Sequence, residues 1–429
     1  MEKRKRTSSF VVGLDVGTTK ICAIVGEVSE EGCSILAVSS HPSSGLKKGV
    51  VVDIEATAQS IKKVIADIRE QIGFDIREVY VGIAGSHVKS FNSYGAVGIK
   101  GREVSPEDVE RAIDSASAVY VPLDREMLHV LPTDFILDGQ DGIKDPVGMA
   151  GVRLEVKVYI VTGAVTSVQN LLKCCERAGL EVVDIVLQPL ASAEATLTPY
   201  ERDMGVMLVD IGGGTTDIAI YKDGWLRHTA VLGIGGNHFT NDLSVGLRLP
   251  FHEAERVKKK YGFVAPVPYA AEINSNNAEI EVVAIDGQVR GIPRKYIAEI
   301  LQPRGEELLD LIRQEVQMVH HNGIAIAGVI LTGGASLLTG FDRMAEAMLS
   351  MPVRIGYMNG APHHPDVAPE SLPISGLKGE FNNPIYATGV GLVLHAAETV
   401  MPSERVPSDV LISIMTTMTG WFRKIISKK

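Results

Sequence analysis

Aromatic residues are scarce in this chain, at 5% of 429 residues with two tryptophans, so aliphatic side chains must build the core. The hydrophobic share of 45% is ample for a large one. Cysteine is rare too. Cys22, Cys33, Cys174 and Cys175 lack metal-ligand spacing, and the adjacent pair falls in an apparently helical stretch. They read as reduced structural thiols, which excludes a disulfide framework or a zinc site built on them. No run has the length and apolar purity of a membrane span, and Met1-Glu-Lys-Arg-Lys-Arg6 leads into a strand-like run instead of a signal-peptide core. The bulk of the protein is therefore expected in the cytoplasm. Basic excess is missing as well: the net charge of −10 argues against a general nucleic-acid binder. The adjacent His363 and His364 have no further ligands at metal spacing and read as surface residues.

Glycine and threonine, in contrast, concentrate in two separated loops. These are Asp15-Val-Gly-Thr-Thr-Lys20 and Asp210-Ile-Gly-Gly-Gly-Thr-Thr-Asp217, each following a β-branched apolar run. Small residues let backbone N–H groups approach phosphate oxygens, and the aspartates can hold Mg²⁺ directly or through water. A single such loop is weak evidence; one in each half of the chain points to two related lobes facing one polyphosphate.

Between the loops, residues 54–72 carry apolar side chains at helical spacing, and Val79–Ile83 returns to strand. The texture changes from Gly85 to about Tyr159. Val88–Ile99 reads as a hairpin around Asn92-Ser-Tyr-Gly95, Ser105-Pro106 opens a helix, and Asp138–Gly151 reads as a broken glycine-rich loop before the strand Leu154–Ile160. This α+β insertion contains no nucleophile–base pattern and no metal cluster. Contact with another protein or subunit, or a structural excursion, would account for it. Farther on come a helix over Thr166–Ala178, a helix beginning at Gln188, paired strands Asp217–Tyr221 and Trp225–Val231, and a helix over Glu306–His320. Ala265–Asn277 reads as a solvent-facing loop. The strand Gly328–Thr332 ends at Gly333-Gly-Ala335, and Pro384–Ala397 forms a late, small-residue helix suited to an interlobe crossing.

The order strand, Asp loop, connector helix, strand, Asp loop, late strand ending in Gly-Gly resembles the actin, heat-shock-70 and sugar-kinase ATPase superfamily. Within it the chain resembles the bacterial FtsA cell-division family. Gly85-Ser-His87, His129-Val-Leu-Pro132, Asp145–Glu155, Gln188–Leu197, Gly235–Asp242 and Leu331–Ser336 carry that likeness beside the two loops. The resemblance implies an α/β, actin-like two-lobed fold with an inserted α+β subdomain and a C-terminal amphipathic helix. Its parts are a tail (1–9), a first-lobe core (10–84 and 161–203), the insertion (85–160), a second-lobe core (204–239 and 301–397) with a tip (240–300), a linker (398–410) and the helix (411–429).

Carried over onto this chain, the resemblance implies ATP or ADP with Mg²⁺. Asp15, Gly17, Thr18, Thr19 and Lys20, then Asp210, Gly212, Gly213, Gly214, Thr215, Thr216 and Asp217, would hold the phosphates. Asp15 and Asp210 would orient the ion or its waters, and Gln188 the attacking water. An amide is no strong base, and Asn237 stands where several superfamily ATPases carry an acid, so turnover is expected to be slow or regulatory. Glu255 and Lys258 would reach the ribose and adenine, with Gly235, Gly236, Asn237, Gly333, Gly334 and Ala335 as close-approach turns. Without the resemblance, Glu255 and Lys258 read as a surface ion pair. The implied partners are the C-terminal peptide of the tubulin-like protein FtsZ, further copies in actin-like filaments, and later division proteins at the insertion. Lys258, Lys259, Lys260, Arg290, Arg294 and Lys295 could complement an acidic peptide. A shape-determining actin homologue, a pilus-assembly adaptor or a small-molecule kinase would share the phosphate loops.

The C-terminus makes a separate argument. Leu411, Ile414, Met415, Met418, Trp421, Phe422, Ile425 and Ile426 trace an apolar helical stripe, with Arg423, Lys424, Lys428 and Lys429 at its end. Too short to span a bilayer, the segment suits an anionic membrane surface, or the protein's own core. The proline-punctuated Pro402–Pro407 favours detachment from the core. The expectation is a peripheral protein at the cytoplasmic face of the membrane.

Overall fold

A computed structural model describes residues 9–29, 32–265, 278–358, 374–376 and 381–400. The predicted membrane helix (411–429), the Pro402–Pro407 linker, His363, His364 and most of the Ala265–Asn277 loop lie outside the described residues.

The chain opens with an antiparallel meander, β1 (Ser9–Val16), β2 (Lys20–Ser29) and β3 (Gly32–Pro42). A two-residue hairpin, β4 (Leu46–Lys47) and β5 (Val50–Val51), leads into α1 (Ile54–Ile72). Asp53 caps α1 by accepting from the Ala56 N–H at 3.0 Å, and Gly73, at φ 77°, ends it. Helical spacing puts Ile61, Val64, Ile65 and Ile68 on one fully buried stripe against the sheet. Each such side chain contributes about 1.5–3 kcal/mol of burial. Next, β6 (Glu78–Ile83) returns parallel to β1.

The insertion follows. Its strands β7 (Lys89–Gly98), β8 (Arg125–Leu137), β9 (Gln140–Ile143) and β10 (Arg153–Ala164) form a sheet in the order β7-β10-β8-β9, covered by α2 (Pro106–Ser117). Two expectations change here. Val88–Ile99 is no hairpin: β7 pairs with β10 continuously from Lys89↔Thr162 to Gly98↔Arg153. Gly95 serves the approach of α2 instead of a turn, since a Cβ there would lie 2.3 Å from the Ala112 carbonyl oxygen. The stretch after Asp138 is partly ordered as β9, through a turn with Asp138 at φ 49° and Gly139 at φ 89°.

After α3 (Val165–Arg177), β11 (Glu181–Leu187) completes the first sheet, and α4 (Gln188–Thr196) and α5 (Pro199–Met204) lead across to the second lobe. There the arrangement repeats. β12 (Val206–Ile211), β13 (Thr216–Lys222) and β14 (Trp225–Leu232) form another antiparallel meander. α6 (Gly236–Leu247), α7 (Phe251–Tyr261) and the hairpin β15 (Glu279–Val283) and β16 (Val289–Pro293) build the tip. α8 (Arg294–His321) is 28 residues long, not confined to Glu306–His320. Ile297, Ala298 and Leu301 extend its buried stripe, and Pro303 inside it costs one N–H bond without ending it. β17 (Gly328–Thr332) and β18 (Val353–Ile355), with α9 (Phe341–Leu349) between them, add parallel strands, giving the order β14-β13-β12-β17-β18. β19 (Ile374–Ser375) joins the first sheet beside β3. Among the described residues, the first sheet reads β11-β6-β1-β2-β3-β19, so both lobes share a meander of three strands and a parallel pair beyond it.

The last described helix, α10 (Ala387–Val400), packs on α4, and the two form the crossing between lobes. They meet without a gap: a Cβ on Gly391 would sit 1.7 Å from the Ala191 carbonyl oxygen. The insertion also touches the second lobe. The Thr229 N–H on β14 donates to the Tyr159 hydroxyl at 2.7 Å, Arg227 donates to the Thr133 carbonyl at 3.1 Å, and Trp225 meets Phe135 edge-on at 6.4 Å between ring centroids.

Candidate functional site

β1 and β12 each carry an aspartate one residue before their ends, and the glycine loops that follow face one another across a cleft of about 530 Å³. That volume lies within the usual range for small-molecule sites. The loops touch. A Cβ on Gly213 would lie 1.8 Å from the Thr19 hydroxyl, and one on Gly214 would lie 2.7 Å from that of Thr18. A side chain there would run into the threonines of the opposite loop. Gly333, at φ 81°, closes the cleft under Asp210, where a Cβ would lie 2.4 Å from Oδ1.

Every phosphate-site and nucleoside-site residue expected from the sequence lines this cleft except Thr216 and Gly235. Thr216 is fully buried and donates to the Ile234 carbonyl at 2.8 Å, so it ties the second loop to the segment between β14 and α6. Gly235 precedes α6, while Gly236 and Asn237 anchor that helix start by donating to the Gly212 and Gly213 carbonyls, both at 2.8 Å. Lys20 lines the cleft with its ammonium donating to the Ile385 carbonyl, 4.4 Å above the Tyr386 ring.

The carboxylates form the electrostatic centre. Asp15 accepts from the Gln188 amide at 3.0 Å; Asp210 accepts from Ser192 at 2.6 Å and Thr388 at 3.3 Å; Asp217 accepts from Thr215 at 3.0 Å. All three are buried, and the other oxygen of Asp217 meets no hydrogen-bond partner in the protein. Burial pushes the Asp15 carboxyl up to about 6, with Lys20 opposing and Asp210 adding to the rise. Asp217 goes up to about 7, through burial and then through Asp210. Asp210 is raised by burial against the pull of Ser192, Thr388 and Lys20. Three buried acids with an unmatched oxygen ionise together more readily beside a cation. The donor set fits a Mg²⁺ ion beside a polyphosphate.

A pH dependence follows. A carboxyl raised in the folded state stabilises the fold below its unfolded value, and that contribution is lost as pH climbs through the folded value. Asp217→Asn should therefore match the wild type in denaturation midpoint at about pH 4 and below, gain on it as pH rises toward 7, and level off above that. A constant gap between the two proteins would contradict the buried-acid account.

On the nucleoside side, Glu255 and Lys258 do pair, at 2.7 Å, but inside the cleft. Thr240 donates to Glu255, and the Lys258 ammonium donates to the Gly236 carbonyl at 2.9 Å. The surface reading of this pair fails. Lys258 is also removed from the basic set expected to meet an acidic peptide, because its charge is spent within the site. Lys259 also lines the cleft and pairs with Glu255 at 3.2 Å, while elsewhere on the tip Arg290 pairs with Asp286, Lys260 and Lys295 lie over Tyr261 and Tyr296, and Arg294 donates to the Tyr261 carbonyl at 3.4 Å.

Four site residues had no assigned chemistry in the sequence. Ser192 and Thr388 come from the two crossing helices to hold Asp210, and nothing in their spacing announces it. Gly49 lines the cleft and donates its N–H to the Thr18 hydroxyl at 3.0 Å. His87, from the Gly85-Ser-His87 motif, lines the cleft with neither ring nitrogen hydrogen-bonded in the protein, and burial lowers its pKa.

Paired five-strand motifs, crossing helices and a glycine-lined cleft between them define an actin-like, two-lobed protein. Comparisons narrow the class. A family model described as "Cell division protein FtsA" matches residues 207–391, and one described as "SHS2 domain inserted in FTSA" matches residues 85–162. The "Cell division protein FtsA" of Pseudomonas aeruginosa is 44% identical, over 92% of this chain and 90% of its own length. Among solved structures, a "PilM-PilN type IV pilus biogenesis complex" superposes with TM-score 0.64 at 18% identity, covering 90% of this chain and 98% of the other. MreB5 of Spiroplasma citri bound to ADP gives TM-score 0.53 at 15% identity, covering 92% and 99%. Those two likenesses show the fold. The chain belongs to the FtsA family of bacterial cell-division proteins.

Proposed function

We propose that this protein binds Mg²⁺–ATP in the interlobe cleft, polymerises as an actin-like filament, and tethers the FtsZ ring to the cytoplasmic face of the membrane. The observation that carries the nucleotide reading is the contact of the two glycine loops above three buried carboxylates. Asp15, Asp210 and Asp217 would face the ion, which neutralises phosphate charge when bound. Among the described residues no three His, Cys, Asp or Glu side chains cluster as direct ligands, so phosphate oxygens and water would complete its shell. Gly17, Thr18, Thr19 and Gly212–Thr215 cradle the phosphates, while Glu255, Lys258 and Gly333–Ala335 face the nucleoside. Gln188, its amide held by Asp15, can orient a water but not deprotonate it, which supports slow hydrolysis.

The tip offers the peptide surface. It carries exposed Phe251, Val283, Ile285 and Val289 together with Lys259, Lys260, Arg290, Arg294 and Lys295, a mix suited to an acidic, partly apolar segment such as the FtsZ tail. Exposed Tyr94, Tyr120 and Leu123 on the insertion suit self-association and later division proteins. Among the described residues no helix is long and apolar enough to cross a membrane. The stripe from Leu411 to Ile426, with the terminal lysines, would supply peripheral attachment.

Co-sedimentation with anionic vesicles tests the tether. The full chain should pellet with vesicles and carry an FtsZ C-terminal peptide with it, whereas a chain ending before Leu411 should capture the peptide yet stay in the supernatant. Vesicle binding by the shortened chain would overturn the assignment of the tail.

A further inference from the structure

The segment Gly45-Leu-Lys-Lys-Gly49 belongs to neither phosphate loop, yet the fold wedges it between them. We infer that Lys48, exposed beside the cleft-lining Gly49, is a cation delivered by the first lobe to the terminal phosphate, one that distinguishes a nucleoside triphosphate from a diphosphate. The inference rests on the nucleotide reading of the cleft.

Three observations converge on this residue. The first is position. Gly49 donates to the Thr18 hydroxyl of the first loop, and a Cβ on Gly214 of the second loop would lie 3.1 Å from the Lys48 Cα. The hairpin thus abuts both loops where they meet. It is also backed from behind, because a Cβ on Gly49 would lie 2.9 Å from the Ala84 carbonyl oxygen at the end of β6.

The second is backbone conformation. Lys48 sits at φ 51°, in the left-handed region that favours glycine, and it is a non-glycine residue there, flanked by glycines at Gly45 and Gly49 that also have positive φ. Glycine would satisfy that geometry at no steric cost.

The third is the state of its charge. The neighbouring cleft lysines are engaged: Lys20 with the Ile385 carbonyl, Lys258 with Glu255, Gly236 and Thr240. Lys48 makes neither an ion pair nor a side-chain hydrogen bond among the described residues. Its side chain is exposed beside the cleft, and the ammonium reaches the second lobe, 3.7 Å from where a Cβ on Gly233 would lie. A free cation that spans both lobes beside the point where the loops touch is suited to the terminal phosphate, whose added charge it would meet as the lobes close.

The test compares the full-length protein with Lys48→Gln, Lys48→Arg and Lys48→Gly, titrated with fluorescent Mg²⁺–ADP and with a non-hydrolysable Mg²⁺–ATP analogue. Lys48→Gln should weaken the triphosphate about tenfold, as expected for one charge-assisted contact, and the diphosphate less than twofold. Lys48→Arg should restore the preference. Lys48→Gly should unfold no earlier than the wild type, since it relieves the backbone, and still lose the preference; that separates charge from fold. Equal weakening of both nucleotides, or a retained preference in Lys48→Gly, would overturn the inference. If the wild type bound neither nucleotide, the reading of the cleft itself would fall, and this inference with it.

Discussion

Asp210→Asn is expected to lower Mg²⁺–ATP affinity roughly 100-fold while raising the stability of the nucleotide-free protein. The two effects share one cause. Asp210 is buried, and its Oδ2 is held by Ser192 and Thr388. With burial already opposing its ionisation, the ligand-free protein carries this carboxylate at a cost. Asparagine keeps the shape and one acceptor oxygen but removes the charge, so Asp15 and Asp217 also lose a repelling neighbour. A bound Mg²⁺ reverses the balance, because the same charge then has a partner. Nucleotide titration and chemical denaturation on one preparation would check both signs. An Asp210→Asn protein that bound Mg²⁺–ATP normally, or that was less stable without ligand, would sink this account of the site.

The second large effect lies at the crossing of α4 and α10. Glycine to alanine within a helix ordinarily stabilises by about 1 kcal/mol. At Gly391 the sign should invert: the added methyl would lie 1.7 Å from a backbone carbonyl oxygen, which cannot rotate away. Overpacking of this kind costs about 1–3 kcal/mol and occasionally more, so Gly391→Ala should be destabilised by about 2 kcal/mol net. Gly98→Ala is the control, since no atom lies within 4 Å of its added Cβ, and it should stay within about 0.5 kcal/mol of the wild type. Denaturant midpoints decide it. A neutral Gly391→Ala would mean the helices do not cross as tightly as described.

Much of this fold was legible because its signals are local. Alternating strands, the capped stripe of α1 and the glycine-threonine loops each announce themselves within a dozen residues, and the loops occur twice. What escaped depended on distant partners. Gly95 read as a turn because a glycine kept clear for a crossing helix has the same local signature. The long helix read as beginning at Glu306, whereas it runs on from Arg294 through Pro303, where the burial of Ile297 and Leu301 outweighs the lost bond. From spacing alone Lys258 read as a surface ion-pair partner, and only the resemblance put it at the nucleoside, because its carbonyl partner lies 22 residues away on α6. Ser192, Thr388 and Lys48 gain their roles only through contacts across the lobes.

The bridge from the insertion to β14 changes what kind of mechanism the molecule is. Two lobes joined only by crossing helices would behave as jaws, free to gape. Here the insertion grows from the first lobe and is pinned to the second through Tyr159 and Thr229, Phe135 and Trp225, Thr133 and Arg227. Three bodies joined pairwise make a closed frame, and a closed frame cannot open at one corner alone. Any turn of the lobes must be taken up by sliding at the β14 joint, which shifts the insertion against its own base. Because β13 begins at the Asp217 end of the second loop and pairs with β14, that joint lies one strand from the phosphate site. In a polymer assembled through the insertion, the state of the cleft would be written into the twist between successive subunits.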